Sequence, residues 1–180
     1  RYHQTKEGGS YHTDSPHWTD VPDLVGMLCL NQAKKGGISK FVSVYTIHNQ
    51  LLKEQKDGLK ALYEKFYFDK RGENKNNESE TVFEPIFVFK DNKLSFRFLM
   101  DYIVAGHEIQ NAPLSKLQET GLQSLKKISE NKNNVLSYDL NANDMVFFDN
   151  HRVLHGRTNF EDYEDENRKR LFLRTWIKLE

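Results

Sequence analysis

Apolar and polar positions along this chain group into many short segments with few long helical faces. Residues 24–33 (LVGMLCLNQA) form an apolar run closed by Lys34, Lys35, Gly36 and Gly37, which predicts a buried strand and then a turn. Residues 40–43 (KFVS) predict a second short strand. Beyond it Ile47, Leu51, Leu52, Leu59, Leu62 and Tyr63 recur at close to helical spacing. Residues 69–80 (DKRGENKNNESE) have no apolar periodicity and the composition of a mobile loop. Aromatic and β-branched residues at 83–89 and 94–99 flank Asp91-Asn92-Lys93 and predict a hairpin. Leucines at helical spacing over 114–129, with Ser115 as N-cap, predict a second helical stretch. Strand patterns return at 135–140, 144–148, 152–157 and 170–179. Many short strands, two interrupting helices and no internal repeat predict a mainly β fold with flanking helices. An antiparallel barrel or jelly-roll core fits this order better than a parallel sheet.

Composition changes the picture in a few places. A length of 180 residues suits one domain with a substantial core. Lys plus Arg and Asp plus Glu both number 26, a balance that argues against nucleic acid or an anionic membrane as partner. The single cysteine, Cys29, lies in apolar surroundings, cannot form an internal disulfide and suits a reducing compartment. No apolar run is long enough to span a bilayer and no signal-peptide pattern is present, so the expectation is a soluble, cytoplasmic protein. A homo-oligomer is compatible with all of this. The chain opens on Arg1, and chemistry-bearing residues begin by position 12, so a preceding segment is expected to be missing from these 180 residues.

The candidate chemistry starts at His12-Thr13-Asp14. On a strand, residues two apart point to one face, so His12 and Asp14 can reach one metal ion. With a distant histidine such as His155, they would make a facial triad of two imidazoles and a carboxylate, which leaves coordination positions open on a non-haem Fe(II). The bland alternative is that these are ordinary polar loop residues and that His155 is a hydrogen-bonded turn histidine. Downstream, Arg170 and Arg174 share one face of a predicted strand, as do Phe172 and Trp176. Arginines on an apolar strand need an anion or a polar partner, and the guanidinium fork grips a carboxylate well. An ordinary ion pair would satisfy the same need. His17 and Trp18 follow the first motif closely enough to line a pocket, although Trp18 suits packing equally well.

Four elements occur in order: His12-Thr13-Asp14, Gly36-Gly37-Ile38-Ser39, Asp149-Asn150 followed by His155, and Arg170-Leu171-Phe172-Leu173-Arg174. Together they resemble the TauD/TfdA-like Fe(II)- and 2-oxoglutarate-dependent dioxygenases, the taurine dioxygenase superfamily, over residues 11 to about 178. The resemblance implies a double-stranded β-helix (jelly-roll, cupin-like) core. It also implies Fe(II) held by His12, Asp14 and His155, which are then the catalytic centre. The C5 carboxylate of 2-oxoglutarate would be held by Arg170 and by Ser39, which stands where the family places a threonine. Arg174 matches a second arginine that contacts an anionic substrate group in some members, and Asn150 would support the loop carrying His155. The implied reaction consumes O2 and 2-oxoglutarate, releases succinate and CO2, and hydroxylates a small substrate, anionic or amino-acid-like. Because Asp14 is a carboxylate where related halogenases carry a small residue, hydroxylation or a desaturation-type outcome is implied over halogenation.

Two departures keep alternatives open. The family's long N-terminal segment, which contributes to sheet and pocket, has no counterpart before the first motif. Arg168 offers a different anchor that suits the γ-butyrobetaine-hydroxylase pattern, with a trimethylammonium substrate in an aromatic cage. A third reading is a non-catalytic barrel that binds a metal or small anion.

Overall fold

The structure is a computed structural model in which residues 8–75 and 77–179 are described. The first half of the chain runs β1 (Gly9–His12), β2 (Leu24–Asn31), β3 (Lys35–Gly36), β4 (Ser39–Ser43), α1 (Val44–Glu54), α2 (Lys56–Ala61), β5 (Lys65–Asp69), β6 (Thr81–Pro85), β7 (Phe87–Lys90) and β8 (Lys93–Phe96). The second half runs α3 (Met100–Ile109), α4 (Lys116–Glu130), β9 (Val135–Tyr138), β10 (Met145–Asp149), β11 (Val153–Arg157), β12 (Phe160–Glu161) and β13 (Leu171–Ile177). No helix among the described residues is long and apolar enough to cross a membrane.

Two antiparallel sheets carry the fold. One has the order β1-β11-β4-β9 and the other β10-β2-β13, with every pairing antiparallel. They meet through aromatic rings: Phe41 of β4 lies 5.4 Å from Phe148 of β10, and Phe148 lies 4.8 Å from His155 of β11. Strand alternation sends the next residues the other way. Val42 and Leu154, cross-strand partners in β4 and β11, join the apolar core that the first sheet makes with Ile47, Leu51, Leu62, Leu122 and Leu125 of the helical layer. The same two strands therefore build the core on one side and present His155 and Phe41 on the other.

Local chemistry accounts for several element boundaries. The predicted helical stretch after residue 43 divides into α1 and α2 at Gln55, whose extended φ of −148° breaks the ladder. In α4 the Ser115 hydroxyl accepts from the Gln118 backbone N–H while the Gln118 side chain accepts from the Ser115 N–H, a complete capping box. The hairpin forms between β7 and β8, and both Asp91 and Asn92 adopt left-handed φ (52° and 58°), as a tight two-residue hairpin turn requires. Its first arm is shorter than 83–89, because residues up to Pro85 belong to β6 and pair with β5 instead. Strand β2 matches the predicted apolar run and buries Val25, Gly26 and Cys29, leaving its other residues half-buried. Outward-facing Leu171 and Leu173 of β13 and Met145 and Phe147 of β10 are exposed.

Two elements depart from the sequence reading. β5 falls just beyond the helical pattern, and α3 has no counterpart in it. The inner face of α3 is made of Ile103, Gly106 and His107, of which only one is a conventional apolar residue. Gly106 lets the helix touch β5 directly, since a Cβ there would lie 2.4 Å from the Tyr67 carbonyl oxygen. His107 accepts a hydrogen bond from the Tyr67 backbone N–H at its Nε2, and its Nδ1 donates to the Ala112 carbonyl. Substituting Gly106→Ala should therefore push α3 off β5 and destabilise the fold by about 1–3 kcal/mol, the usual cost of overpacking. Urea denaturation compared with wild type reads this directly.

Candidate metal centre and co-substrate pocket

The antiparallel register of β1 against β11 places His12 directly opposite His155. Their rings lie 4.3 Å apart. Asp14 sits just past the end of β1 rather than within it, followed by Ser15 in a left-handed conformation (φ 50°) that turns the chain away. The intervening Thr13 is fully buried and fixed on both its polar groups: its N–H donates to the Phe98 carbonyl and its hydroxyl accepts from the Phe98 N–H. With Thr13 held, Oδ1 of Asp14 comes 3.7 Å from His12 Nε2 and 3.6 Å from His155 Nε2. The three predicted ligands are thus brought together, with donor atoms all within 4.8 Å of one another.

Asn150 is fully buried and clamps this turn. Its side-chain oxygen accepts from the Asp14 N–H, and its amide donates to the carbonyls of Asp14 and Pro22. The residue expected to support the loop bearing His155 thus reaches from that loop to hold the carboxylate side of the triad.

The donor set suits a divalent transition metal. The Ser10 carbonyl accepts from His12 Nδ1 at 2.8 Å, which leaves the Nε2 lone pair for the centre. Burial, reinforced by His12 and Arg174, pulls the His155 imidazole down to about 3, so the ring is neutral. For Asp14 burial alone acts upward. The His155 and Arg174 side chains first, then His12 and the Trp176 N–H, act against burial, and the carboxyl is held below its usual range. A neutral His155, the Asp14 carboxylate and the Nε2 atom of His12 turned towards it offer the donor set of a facial triad.

Of the remaining site residues, Arg174 donates to Asp14 Oδ1 at 2.9 Å and Trp176 Nε1 donates to Oδ2 at 2.8 Å. Arg174, named from the sequence as a substrate contact, therefore meets the triad carboxylate. Arg170 immediately precedes β13, beside the end opposite Trp176. Its guanidinium lies 4.0 Å from the Phe172 ring centre and 5.3 Å from that of Phe160. Burial and then repulsion from Arg157 bring its basicity down to about 10. Gly37, two residues before buried Ser39, lies against this arginine, and a Cβ there would come 3.0 Å from Arg170 Nε. Arg168 is exposed in a 3-10 turn (Glu166–Arg168) with its guanidinium 3.9 Å from the Tyr163 ring centre. Like Arg170, it lies outside β13.

His17 and Trp18 are brought together by a residue the sequence reading had not singled out. Glu73, in the polar 69–80 segment, accepts from Trp18 Nε1 at 2.9 Å and lies 3.0 Å from buried His17 Nε2. Trp18 in turn packs edge-on against Trp176 at 5.2 Å. Glu73 thus ties its part of the segment expected to be a mobile loop to His17 and Trp18. Nothing in the composition of that segment signals this.

Comparison with known proteins adds the decisive observation. The family model described as "Taurine catabolism dioxygenase TauD, TfdA family" matches residues 1–176. This chain belongs to the TauD/TfdA family. Among relatives of this TauD/TfdA protein, "FR-33289 synthase" from Streptomyces rubellomurinus (strain ATCC 31215) is 31% identical over 183 residues, covering 100% of this chain and 52% of the relative. Among solved structures, an asparagine oxygenase in complex with Fe(II), 2S,3S-3-hydroxyasparagine and succinate superposes with a TM-score of 0.76 at 16% identity, over 96% of this chain and 50% of that one. The non-heme iron oxygenase OrfP in complex with Fe and alpha-ketoglutaric acid gives a TM-score of 0.70 at 16% identity, over 97% of this chain and 50% of that one. The chain thus spans about half the length of the relatives it matches.

Two outcomes follow for the TauD/TfdA centre. Asn150→Ala removes three buried hydrogen bonds and leaves the Asp14 turn unsatisfied, so it should cost about 2–4 kcal/mol in denaturant unfolding, given ~1 kcal/mol or more per lost buried bond. The metal-free protein should also lose stability as pH falls. Folded His155 refuses, down to about 3, a proton that the unfolded chain takes near its ordinary 6.5, and Asp14 acts in the same direction at lower pH. The slope attributable to His155 should approach about 1.4 kcal/mol per pH unit between these values. Urea midpoints across that range should show a flatter dependence for His155→Leu than for wild type.

Proposed function

We propose that this protein is an Fe(II)- and 2-oxoglutarate-dependent dioxygenase hydroxylating a small, amino-acid-like or anionic substrate. The observation that carries this reading is the convergence of the donor atoms of His12, Asp14 and His155 within 4.8 Å of one another, in a chain of the TauD/TfdA family. The seven strands of the two facing sheets are read as a jelly-roll, or double-stranded β-helix, with the triad between its sheets. The bound metal would supply O2 activation coupled to oxidative decarboxylation of 2-oxoglutarate to succinate and CO2.

The chain's own residues have separable tasks. His12, Asp14 and His155 would hold the metal, and a set of three such ligands leaves coordination positions open for co-substrate and O2. Arg170, half-buried and repelled by Arg157, gains most from an anion and is the anchor for the distal carboxylate, with the Ser39 hydroxyl as second donor. Arg174, His17 and Trp18 are assigned to the substrate side. Solved structures of similar fold hold hydroxyasparagine or 2-oxoglutarate with iron, which supports an amino-acid-like substrate. The position of Arg168 over Tyr163 speaks against its serving as the anchor, and so against the γ-butyrobetaine-hydroxylase pattern.

Anaerobic addition of Fe(II) and 2-oxoglutarate should produce the weak visible charge-transfer band of the chelate. His12→Ala should abolish it. Arg170→Ala should raise the 2-oxoglutarate concentration needed by roughly 30-fold or more, as for loss of a buried charge partner worth about 2 kcal/mol. A folded wild-type protein that binds iron yet shows no band would point to the non-catalytic, metal-binding alternative.

A further inference from the structure

Among the described residues, Trp176 supplies a donor at the triad carboxylate that the proposed chemistry does not use. Its indole N–H meets Asp14 Oδ2 at 2.8 Å, on the oxygen other than the one facing the histidines. Oδ1 lies 3.6 Å from His155 Nε2 and 3.7 Å from His12 Nε2. Asp14 is buried, so no solvent competes for the carboxylate, and each oxygen's direction is set by the protein alone. Arg174 also touches Oδ1, at 2.9 Å, but an ionised carboxylate oxygen has two lone pairs and can serve a cation besides the guanidinium.

We infer that Trp176 is a positioning residue that selects Oδ1 as the metal-ligating oxygen of Asp14. This rests on the metal-centre reading above. With Oδ2 held by the indole, the carboxylate can neither rotate about its own axis to offer the other oxygen nor swing both oxygens onto one ion. The centre is thereby held to one carboxylate ligand atom, and the positions opposite the triad stay available. The ring contributes separately, packing edge-on against Trp18 and beneath the Arg174 guanidinium, 4.9 Å from its centre. A test has to separate the N–H from the ring.

Two substitutions do so. Trp176→Phe keeps an aromatic ring and loses the donor; Trp176→Gln keeps an N–H donor and loses the ring. Mn(II) binding to the metal-free protein, followed by electron paramagnetic resonance of the free ion, reads affinity without turnover. Thermal unfolding of each metal-free variant reports whether it is folded. The expected result is a roughly 10- to 100-fold weaker Mn(II) dissociation constant for Trp176→Phe, the usual scale for removing an outer partner of a ligand. Trp176→Gln should stay within a few-fold of wild type. The Co(II) visible spectrum of Trp176→Phe should also change, reporting altered carboxylate coordination. If Trp176→Phe binds Mn(II) as wild type does, or if only Trp176→Gln weakens, the ring merely packs and the assignment is overturned. A folded wild type that binds no Mn(II) overturns the metal-centre reading itself, so the two failures are distinct.

Discussion

The pairing register between β1 and β11 is the constraint on which the site depends. Because side chains alternate along a strand, a slip of one residue would turn His155 into the helical core and bring Leu154 into the position facing Asp14. What prevents the slip lies on the far side of the sheet. Leu154 and Val42, paired across β11 and β4, are both essentially fully buried against the helices, so the apolar core fixes the register and the register fixes the ligands. Thr13 and Asn150 then settle the last stretch, where β1 has ended and no ladder remains to hold Asp14.

Charge is distributed unevenly along β13. At one end Arg174 is matched by the ionised, buried Asp14, so that cation is already neutralised by the triad. At the other, Arg170 is stacked on two aromatic rings, and burial together with its neighbour Arg157 lowers its basicity. Arg174 near one end of the strand thus has a buried carboxylate as partner, while Arg170 before the other end rests on aromatic rings with the Asp162 carboxylate near it.

How much of this was legible in the sequence follows from which interactions are local. The α4 cap at Ser115 and the turn at Asp91-Asn92 are governed by spacing of two to four residues, and the structure has them where the spacing put them, whereas His12 and Asp14 come together through the turn that follows β1 and not by strand alternation. Helix α3 escaped because its inner face is made of Gly106 and His107, which hydrophobic periodicity does not count. The division of 83–89 between two sheets depends on partners far along the chain, β5 and β8. Glu73 escaped for a similar reason: a glutamate in a polar segment looks like any other until the fold delivers Trp18 and His17 to it. Arg174 was recognised as needing an anion, and Asp14 supplies it.

The chain contains two tryptophans, and both indole N–H groups are committed to carboxylates at this one place, Trp176 to Asp14 and Trp18 to Glu73. Their rings are also in contact. The tryptophan emission of the protein therefore originates beside the triad. Occupancy of the triad, through one indole, and attachment of the 69–80 segment, through the other, are both written into an optical signal that needs no added label.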